Sequence, residues 1–221
     1  MDRKEHWEAV YRSKRPTEVS WYQVEADLSA RLIQDVVPDR AATIIDVGGG
    51  ASVLISQLDA AGYTDLTVLD LSGAAIAAAR AALGPRADRI QWLEDDILEA
   101  DLVPNGYHFW HDRAVFHFLT DPGARSAYVE QVRRAVPSGG FVLVATFAED
   151  GPSRCSGLDV MRYSPTSLHA EFGHGFVYVA AHREEHRTPS GGLQAFTYCL
   201  CRREAVPGPP PHHHAFSMAA R

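Results

Sequence analysis

Apolar positions at the start of the chain follow the spacing of helices. Residues 5–13 and 26–37 both place apolar side chains three or four positions apart, and the second segment ends before Pro38. The aromatic pair Trp21-Tyr22 lies between them. We therefore expect an N-terminal helical cap over residues 1–38, ahead of the first strand.

From residue 43 the pattern changes to short apolar runs that alternate with helical segments. Five strands are predicted, over residues 43–47, 66–69, 90–93, 107–111 and 141–147. Helices are predicted over residues 53–61, 73–83 and 125–136. This alternation is typical of βαβ units, so we expect a mostly parallel sheet with helices on both faces.

The last third of the chain no longer alternates. A helix is predicted over 164–172, and two strand-like runs follow at 176–181 and 193–201, joined by a polar loop that carries His186. Successive strands favour an antiparallel pair at one end of the sheet. We expect a single domain over residues 1–205 and a flexible Pro/His-rich tail over 206–221.

Composition and charge narrow the class of protein. A chain of 221 residues with a net charge of −7 is long enough for one sizeable core. It lacks the broad basic surface that nucleic acids require, so no nucleic-acid partner is expected. No apolar run approaches the ~18 residues of a membrane span, and no secretory signal is recognised. We expect a cytoplasmic protein without a membrane partner.

The cysteines do not predict a disulfide framework or a metal site. Three cysteines are too few for such a framework. Cys199 and Cys201 should share one face of a strand, where two packed thiols are expected. Further metal ligands would have to come from His212–His214 in the tail.

The strongest chemical signal is a buried strand that runs into three glycines and then a helix. The segment reads Asp46-Val47-Gly48-Gly49-Gly50. Glycines allow a sharp turn and close approach to a ligand, and the helix N-terminus offers free N–H groups. A dinucleotide loop would have glycine where Val53 stands, so the pyrophosphate pattern fails. A nucleoside without phosphates is compatible with this loop.

Asp70 ends the second predicted strand, twenty positions after Gly50. A carboxylate at this position can accept hydrogen bonds from both hydroxyls of a ribose. The alternative is that Asp70 only caps the helix that begins near Gly73. The glycine loop upstream favours the ribose interpretation.

These residues resemble the motifs of the class I S-adenosylmethionine-dependent methyltransferases. Asp46, Gly48 and Gly50 match the first motif, with Ser52 in place of its third glycine, and Asp70 matches the acid after the second strand. Residues 94–97 resemble the segment that meets the adenine, and residues 135–140 resemble the turn before the fifth strand. The resemblance implies a Rossmann-like, doubly wound fold with seven strands, mostly parallel, and an antiparallel last strand. It also implies S-adenosylmethionine as cofactor and S-adenosylhomocysteine as product.

A narrower resemblance concerns residues 7–11, Trp21-Tyr22 and residues 111–116, which are similar to lysine methyltransferases of translation elongation factors. It implies that Trp21 and Tyr22 cover the cofactor and that His111 and Asp112 border the methyl-transfer pocket as catalytic residues. The cofactor-binding residues expected from both resemblances are Trp21, Tyr22, Asp46, Gly48, Gly49, Gly50, Asp70, Leu71, Asp96, Ile97 and His111. Further pocket candidates are His117, Cys155, Tyr163 and His186.

The function expected from the sequence is methyl transfer to nitrogen or sulfur of a small molecule. A protein lysine is the alternative acceptor within the same class. A nicotinamide-dependent oxidoreductase is less consistent with the sequence, because Val53 replaces a glycine and a Tyr-x-x-x-Lys pair is missing. A non-catalytic cofactor-binding module stays open.

Overall fold

A computed structural model describes residues 2–204 of the chain. The tail expected over 206–221 lies outside these residues. Helix α1 (Arg3–Ser13) begins where the Asp2 side chain accepts a hydrogen bond from the backbone of Lys4. A 3₁₀ turn at Pro16–Glu18 leads to helix α2 (Asp27–Val36). The predicted helical start of the chain is thus present, and α2 buries one face that contains Ser29, Ala30, Leu32 and Ile33.

Seven strands form one sheet, and two short strands, β6 (Arg154–Cys155) and β7 (Leu158–Asp159), form a separate hairpin. In chain order the seven strands are β1 (Ile44–Val47), β2 (Leu66–Asp70), β3 (Gln91–Glu94), β4 (Phe109–Arg113), β5 (Phe141–Phe147), β8 (Phe176–Arg187) and β9 (Leu193–Arg203). Their order across the sheet is β3-β2-β1-β4-β5-β9-β8. Strands β1 to β5 are parallel, whereas β9 is antiparallel to both of its neighbours. The predicted fold class is confirmed.

Helices cover both faces of this sheet. They are α3 (Leu54–Ala60), α4 (Gly73–Leu83), α5 (Pro122–Ala135) and α6 (Pro165–Phe172), with 3₁₀ segments at Gly84–Arg89 and Phe116–Phe118. One core joins α2 and α3 to Ile44, Phe109 and Leu143. The other core joins α5 and α6 to side chains that point to the opposite face, including Ile45 and Trp110. Within residues 2–204, no helix combines the length and the hydropathy needed to cross a bilayer.

The structure corrects three details of the predicted elements. Strand β4 lies two residues further along the chain than expected, and β8 continues through its polar second half to Arg187. His186 therefore lies on a strand, and not in the connecting loop. The long partner strand β9 pairs with this polar segment through the backbone, which a search for apolar alternation does not detect. A short hairpin of β6 (Arg154–Cys155) and β7 (Leu158–Asp159) was also not predicted.

The sheet order places the glycine loop at a reversal of chain direction. Strand β1 lies between β2 and β4, so the chain continues to one side of β1 first and to the other side later. In open α/β sheets, ligands bind outside the carboxyl ends of the strands at such a point. Asp46 and Asp70 lie at or next to the carboxyl ends of β1 and β2, and His111, in the middle of β4, lies opposite Asp46 in the sheet.

Candidate cofactor and methyl-transfer site

The glycine loop after β1 packs tightly against two carboxylates. Gly48 has a φ of +70°, which favours glycine. A Cβ atom on Gly49 would lie 2.3 Å from Oδ2 of Asp46, and one on Gly50 would lie 2.8 Å from Oδ2 of Asp70. The absence of side chains at these positions lets the loop close onto the ends of β1 and β2.

Asp70 is held in place by backbone donors on two sides. Its Oδ2 accepts a hydrogen bond from the N–H of Gly50 at 3.0 Å, and its Oδ1 accepts one from Ser72 at 2.8 Å. Burial raises the pKa of this carboxyl to about 6, and the two backbone donors act in the opposite direction. Helix α4 is capped by the Ser72 hydroxyl, which accepts from Ala75. Ser72, and not Asp70, is therefore the N-cap of α4.

Asp46 has one paired and one unpaired oxygen. Its Oδ1 lies 2.6 Å from Nδ1 of His111, and Nε2 of the same histidine lies 2.9 Å from the hydroxyl of Ser29. The buried Oδ2 has no hydrogen-bond partner among residues 2–204. A buried carboxylate oxygen without a partner is costly, so it marks a position where a donor group would be stabilised.

The main cleft opens beside Asp70 and is roofed by an aromatic lid, which consists of Trp7, Tyr11, Trp21 and Phe118. The Trp7 ring meets the rings of Trp21 and Phe118 edge to face, with centroids 5.6 and 5.0 Å apart. The remaining lining is Arg3, Val47, Gly48, Leu69, Asp70, Leu71, Asp95, Asp96, Ile97, Arg113, Ala114, Val115, Leu119 and Cys155. The cleft is mainly apolar, with its carboxylates at the β2–β3 end.

Helix α1 is held over this cleft by charged contacts. Arg3 Nη2 lies 2.5 Å from Oδ2 of Asp96, and Lys4 Nζ lies 2.7 Å from Oε1 of Glu94. Oε1 of Glu8 accepts hydrogen bonds from the Ser72 hydroxyl at 3.0 Å and from the N–H of Ala74 at 3.1 Å. These contacts tie α1 to the segments after β2 and β3, and so position the aromatic lid.

A second cleft adjoins the first on the other side of the glycine loop. It shares Tyr11, Trp21, Gly48 and Arg113 with the main cleft. Its own lining is Tyr22, Gln23, Ala26, Ser29, Asp46, Ala51, Ser52, Val53, Leu54 and His111. The predicted cofactor residues are therefore divided between the two clefts, while Gly49 and Gly50 line neither and pack against the carboxylates.

Asp112 does not lie where the sequence analysis expects it. It lines neither cleft, is 0% exposed, and accepts hydrogen bonds from the Tyr128 hydroxyl and from the backbone of Val115 and Phe116. Burial raises the pKa of its carboxyl to about 6. Neighbouring strand residues point to opposite faces, so His111 faces α2 whereas Asp112 faces α5. This geometry gives Asp112 a structural position in place of the expected pocket border.

The other four pocket candidates are either buried neutral groups or already hydrogen-bonded within the protein. Burial lowers the pKa of His117 to about 3 and raises that of Cys155 to about 11, so both are neutral near pH 7. The Tyr163 hydroxyl donates to Glu171, and Nε2 of His186 donates to the carbonyl of Ser20. Of these four residues, only Cys155 lines the main cleft.

Sequence reasoning missed two polar residues of the site. Ser29 is buried in α2 beside apolar residues, and a serine on an apolar helix face is the signal that marks it. Arg113, at the end of β4, donates to the Tyr198 hydroxyl at 2.9 Å, to the Trp21 carbonyl at 3.2 Å and to Glu184 at 3.1 Å. Its partners on β9 and β8 are more than seventy positions away, so no local pattern reveals them.

Comparisons with known proteins agree with this architecture. A family described as a methyltransferase domain matches residues 44–140. Human EEF1A lysine methyltransferase 2 is 25% identical over 157 residues, which is 65% of this chain and 66% of the relative. The Burkholderia thailandensis 1,6-didemethyltoxoflavin-N1-methyltransferase, solved with 1,6-didemethyltoxoflavin and S-adenosylhomocysteine, has a TM-score of 0.72 at 18% identity, over 91% of this chain and 87% of that chain.

A further structure has an equally similar fold. It comes from work on the conversion of a disulfide bond into a thioacetal group during echinomycin biosynthesis. Its TM-score is 0.72 at 18% identity, and the match covers 92% of this chain and 93% of that chain. At such identities the structural similarity establishes the fold.

Residues 44–140 match a methyltransferase domain, and the sheet order and the site residues are those expected for S-adenosylmethionine as cofactor. The residues present fit the cofactor. The unpaired Oδ2 of Asp46 suits a positively charged donor, and the glycine loop lies directly against Asp46 and Asp70 at the ends of β1 and β2.

Proposed function

We propose that the protein transfers a methyl group from S-adenosylmethionine to a nitrogen or sulfur atom of a small molecule. The observation that carries this proposal is the aromatic lid, which makes the main cleft a roofed and mainly apolar pocket. A protein substrate would need an open groove that admits a backbone and a side chain. A roofed pocket instead suits an acceptor that enters whole.

The proposed cofactor contacts follow the two clefts. Asp70 accepts the ribose hydroxyls, and Asp96 with Ile97 borders the adenine next to Leu71. In the second cleft, Asp46 accepts the ammonium of the methionine half, beside His111. Gly48, Gly49 and Gly50 permit the close approach of the backbone, and Trp21 and Tyr22 cover the cofactor.

The chain's own contribution to the reaction is positioning and the exclusion of water. When bound, S-adenosylmethionine supplies an electrophilic methyl group on its sulfonium. Trp21, Phe118 and Ala114 would hold the acceptor in line with that group and keep water out. No histidine among residues 2–204 lines the main cleft, and the Cys155 thiol stays protonated near pH 7. This composition favours acceptors with an available lone pair, such as a neutral amine or an acidic thiol.

Two relatives support this range of acceptors. The Burkholderia enzyme is named for methylation of a nitrogen in a small molecule, and the echinomycin structure is named for chemistry at sulfur. Both match this chain over about nine tenths of its length, 91% and 92%. Their names support a small-molecule acceptor without identifying it.

The test combines calorimetry with a methyl-transfer screen. S-adenosylhomocysteine should bind the full-length protein, and radiolabelled methyl groups should then pass to members of a panel of small thiols and amines. Absence of binding would contradict the cofactor assignment. Binding with label transferred to none of the panel, but to protein lysines, would contradict the small-molecule acceptor.

A protein lysine is the second proposed acceptor, and one observation favours it. The human relative is named as a lysine methyltransferase of EEF1A. The discriminating assay offers the same labelled cofactor to elongation factor 1A and to free lysine derivatives. Label on the intact protein alone would favour this second function.

A further inference from the structure

Three polar side chains from three separate elements form a continuous hydrogen-bond chain behind the glycine loop. Asp46 comes from β1, His111 from β4 and Ser29 from α2. The two links are 2.6 Å between Asp46 Oδ1 and His111 Nδ1, and 2.9 Å between His111 Nε2 and the Ser29 hydroxyl. Their exposures are 1%, 2% and 1%, so each group depends on the others for hydrogen bonding.

The chemistry of the two groups sets the direction of the hydrogen bond between Asp46 and His111. A carboxylate only accepts, so Nδ1 of His111 donates to Asp46. Nε2 lies within hydrogen-bond reach of the Ser29 hydroxyl, which can donate or accept. Both ring nitrogens of His111 are therefore engaged, and the ring holds Oδ1 of Asp46 in one position.

This arrangement fixes one oxygen of Asp46 and leaves the other oxygen unpaired. Its Oδ1 is tied to His111, while the buried Oδ2 has no partner in the described part of the chain. Asp46, His111 and Ser29 all line the second cleft. A carboxylate with one oxygen fixed and one unpaired presents a defined acceptor for a cation in that cleft.

We propose that Ser29 and His111 are positioning residues that orient Asp46 for the ammonium of the cofactor's methionine half. This inference rests on the proposed function. It assigns His111 a role behind the cofactor in place of the catalytic role expected from the sequence. It also gives Ser29, on the N-terminal cap, an indirect part in binding the methionine half of the cofactor.

A purely structural role for the chain makes a different prediction. If the two bonds only dock α2 onto the sheet, their loss should lower stability and weaken every ligand alike. If they orient Asp46, their loss should weaken only ligands that carry the ammonium. S-adenosylhomocysteine carries it, whereas 5′-methylthioadenosine has the same nucleoside but no amino-acid group.

The experiment compares both ligands by calorimetry on the full-length protein. For Ser29→Ala and His111→Asn, S-adenosylhomocysteine affinity should fall about tenfold, since a hydrogen bond to a charged group is weakened. Affinity for 5′-methylthioadenosine should stay within about twofold, well inside the effect of one such bond. The matched control is Thr146→Val, which removes another buried hydroxyl, one without a hydrogen-bond partner, and should change neither affinity.

A spectroscopic measurement keeps the test independent of ligand binding. Nitrogen-15 NMR of His111 should report hydrogen bonding at both ring nitrogens, and the Nε2 resonance should move in Ser29→Ala. Equal losses for the two ligands, or no loss for either, would overturn the inference. Failure of the unaltered protein to bind S-adenosylhomocysteine would instead contradict the proposed function itself.

Discussion

Oδ2 of Asp70 accepts a hydrogen bond from the N–H of Gly50 at 3.0 Å, and this bond joins the glycine loop after β1 to the end of β2. The second oxygen accepts from Ser72 at 2.8 Å, so both oxygens have fixed positions. Each carboxylate oxygen accepts more than one hydrogen bond. Asp70 therefore keeps accepting capacity for two ribose hydroxyls, in a place set by the backbone.

Replacement of Asp70 should abolish most of the cofactor affinity. In Asp70→Ala the loss of charged hydrogen bonds should cost about 1.5–3 kcal/mol, or tenfold and more in Kd. Calorimetry with S-adenosylhomocysteine measures this directly. Asp65→Ala is the matched control and should bind normally, because Asp65 is exposed and directly precedes the opposite end of β2. Equal binding by both variants would contradict the assignment of Asp70 to the ribose.

Cofactor binding should weaken as the pH falls below about 6, because burial raises the pKa of Asp70 to about 6 and the protonated carboxyl accepts fewer hydrogen bonds. The same shift means that Asp70 binds more protons in the folded than in the unfolded state between about pH 4 and 6. Its contribution to stability is therefore lost as the pH rises through that window. Titration of affinity against pH should show the fall for the unaltered protein and a flatter curve for Asp70→Asn.

Asp112→Ala should affect folding and leave cofactor binding nearly unchanged. The substitution leaves the Tyr128 hydroxyl and two backbone N–H groups without their acceptor, at a cost of about 3 kcal/mol in the free energy of unfolding. Chemical denaturation gives the stability, and calorimetry at low temperature gives the affinity. A stable variant with greatly reduced methyl transfer would restore the catalytic role expected from the sequence.

Ala114→Gly should be neutral or stabilising. Ala114 has a φ of +73°, where a residue with a Cβ atom is strained by about 1–2 kcal/mol, partly offset by the greater flexibility of glycine when unfolded. Ala77→Gly, on the exposed side of α4, is the control and should lose about 1 kcal/mol. Thermal unfolding should show an unchanged or raised Tm for Ala114→Gly and a lowered Tm for Ala77→Gly, and a similar loss in both would refute the strain.

Trp21→Ala should weaken S-adenosylhomocysteine binding more than Tyr22→Ala does. Trp21 lines both clefts and packs against Trp7 and Tyr11, whereas Tyr22 lines only the second of the two. Removal of the indole opens the aromatic lid. The ligand then buries less apolar surface on binding. Parallel titrations of the two variants measure the difference. A larger effect at Tyr22 would show that the lid does not close over the ligand.

Much of the site could be predicted because it depends on short segments. A strand that runs into Gly48–Gly50 and a strand that ends at Asp70 are each readable within ten residues. Parallel strands bring their carboxyl ends to one edge, so the proximity of Asp46 and Asp70 follows from the βαβ pattern alone. The fold class was predictable for the same reason.

Only the tertiary structure decided which side chains meet across elements. From the sequence, His111 and Asp112 are expected at the same pocket, but the packing of α2 and α5 on opposite faces of the sheet decides that His111 meets Ser29 and that Asp112 meets Tyr128. The position of α1 over Asp96 depends on contacts more than ninety positions apart along the chain. Local propensity and periodicity report on neighbours in sequence, whereas these contacts arise from burial and hydrogen bonding between distant segments after the sheet has formed.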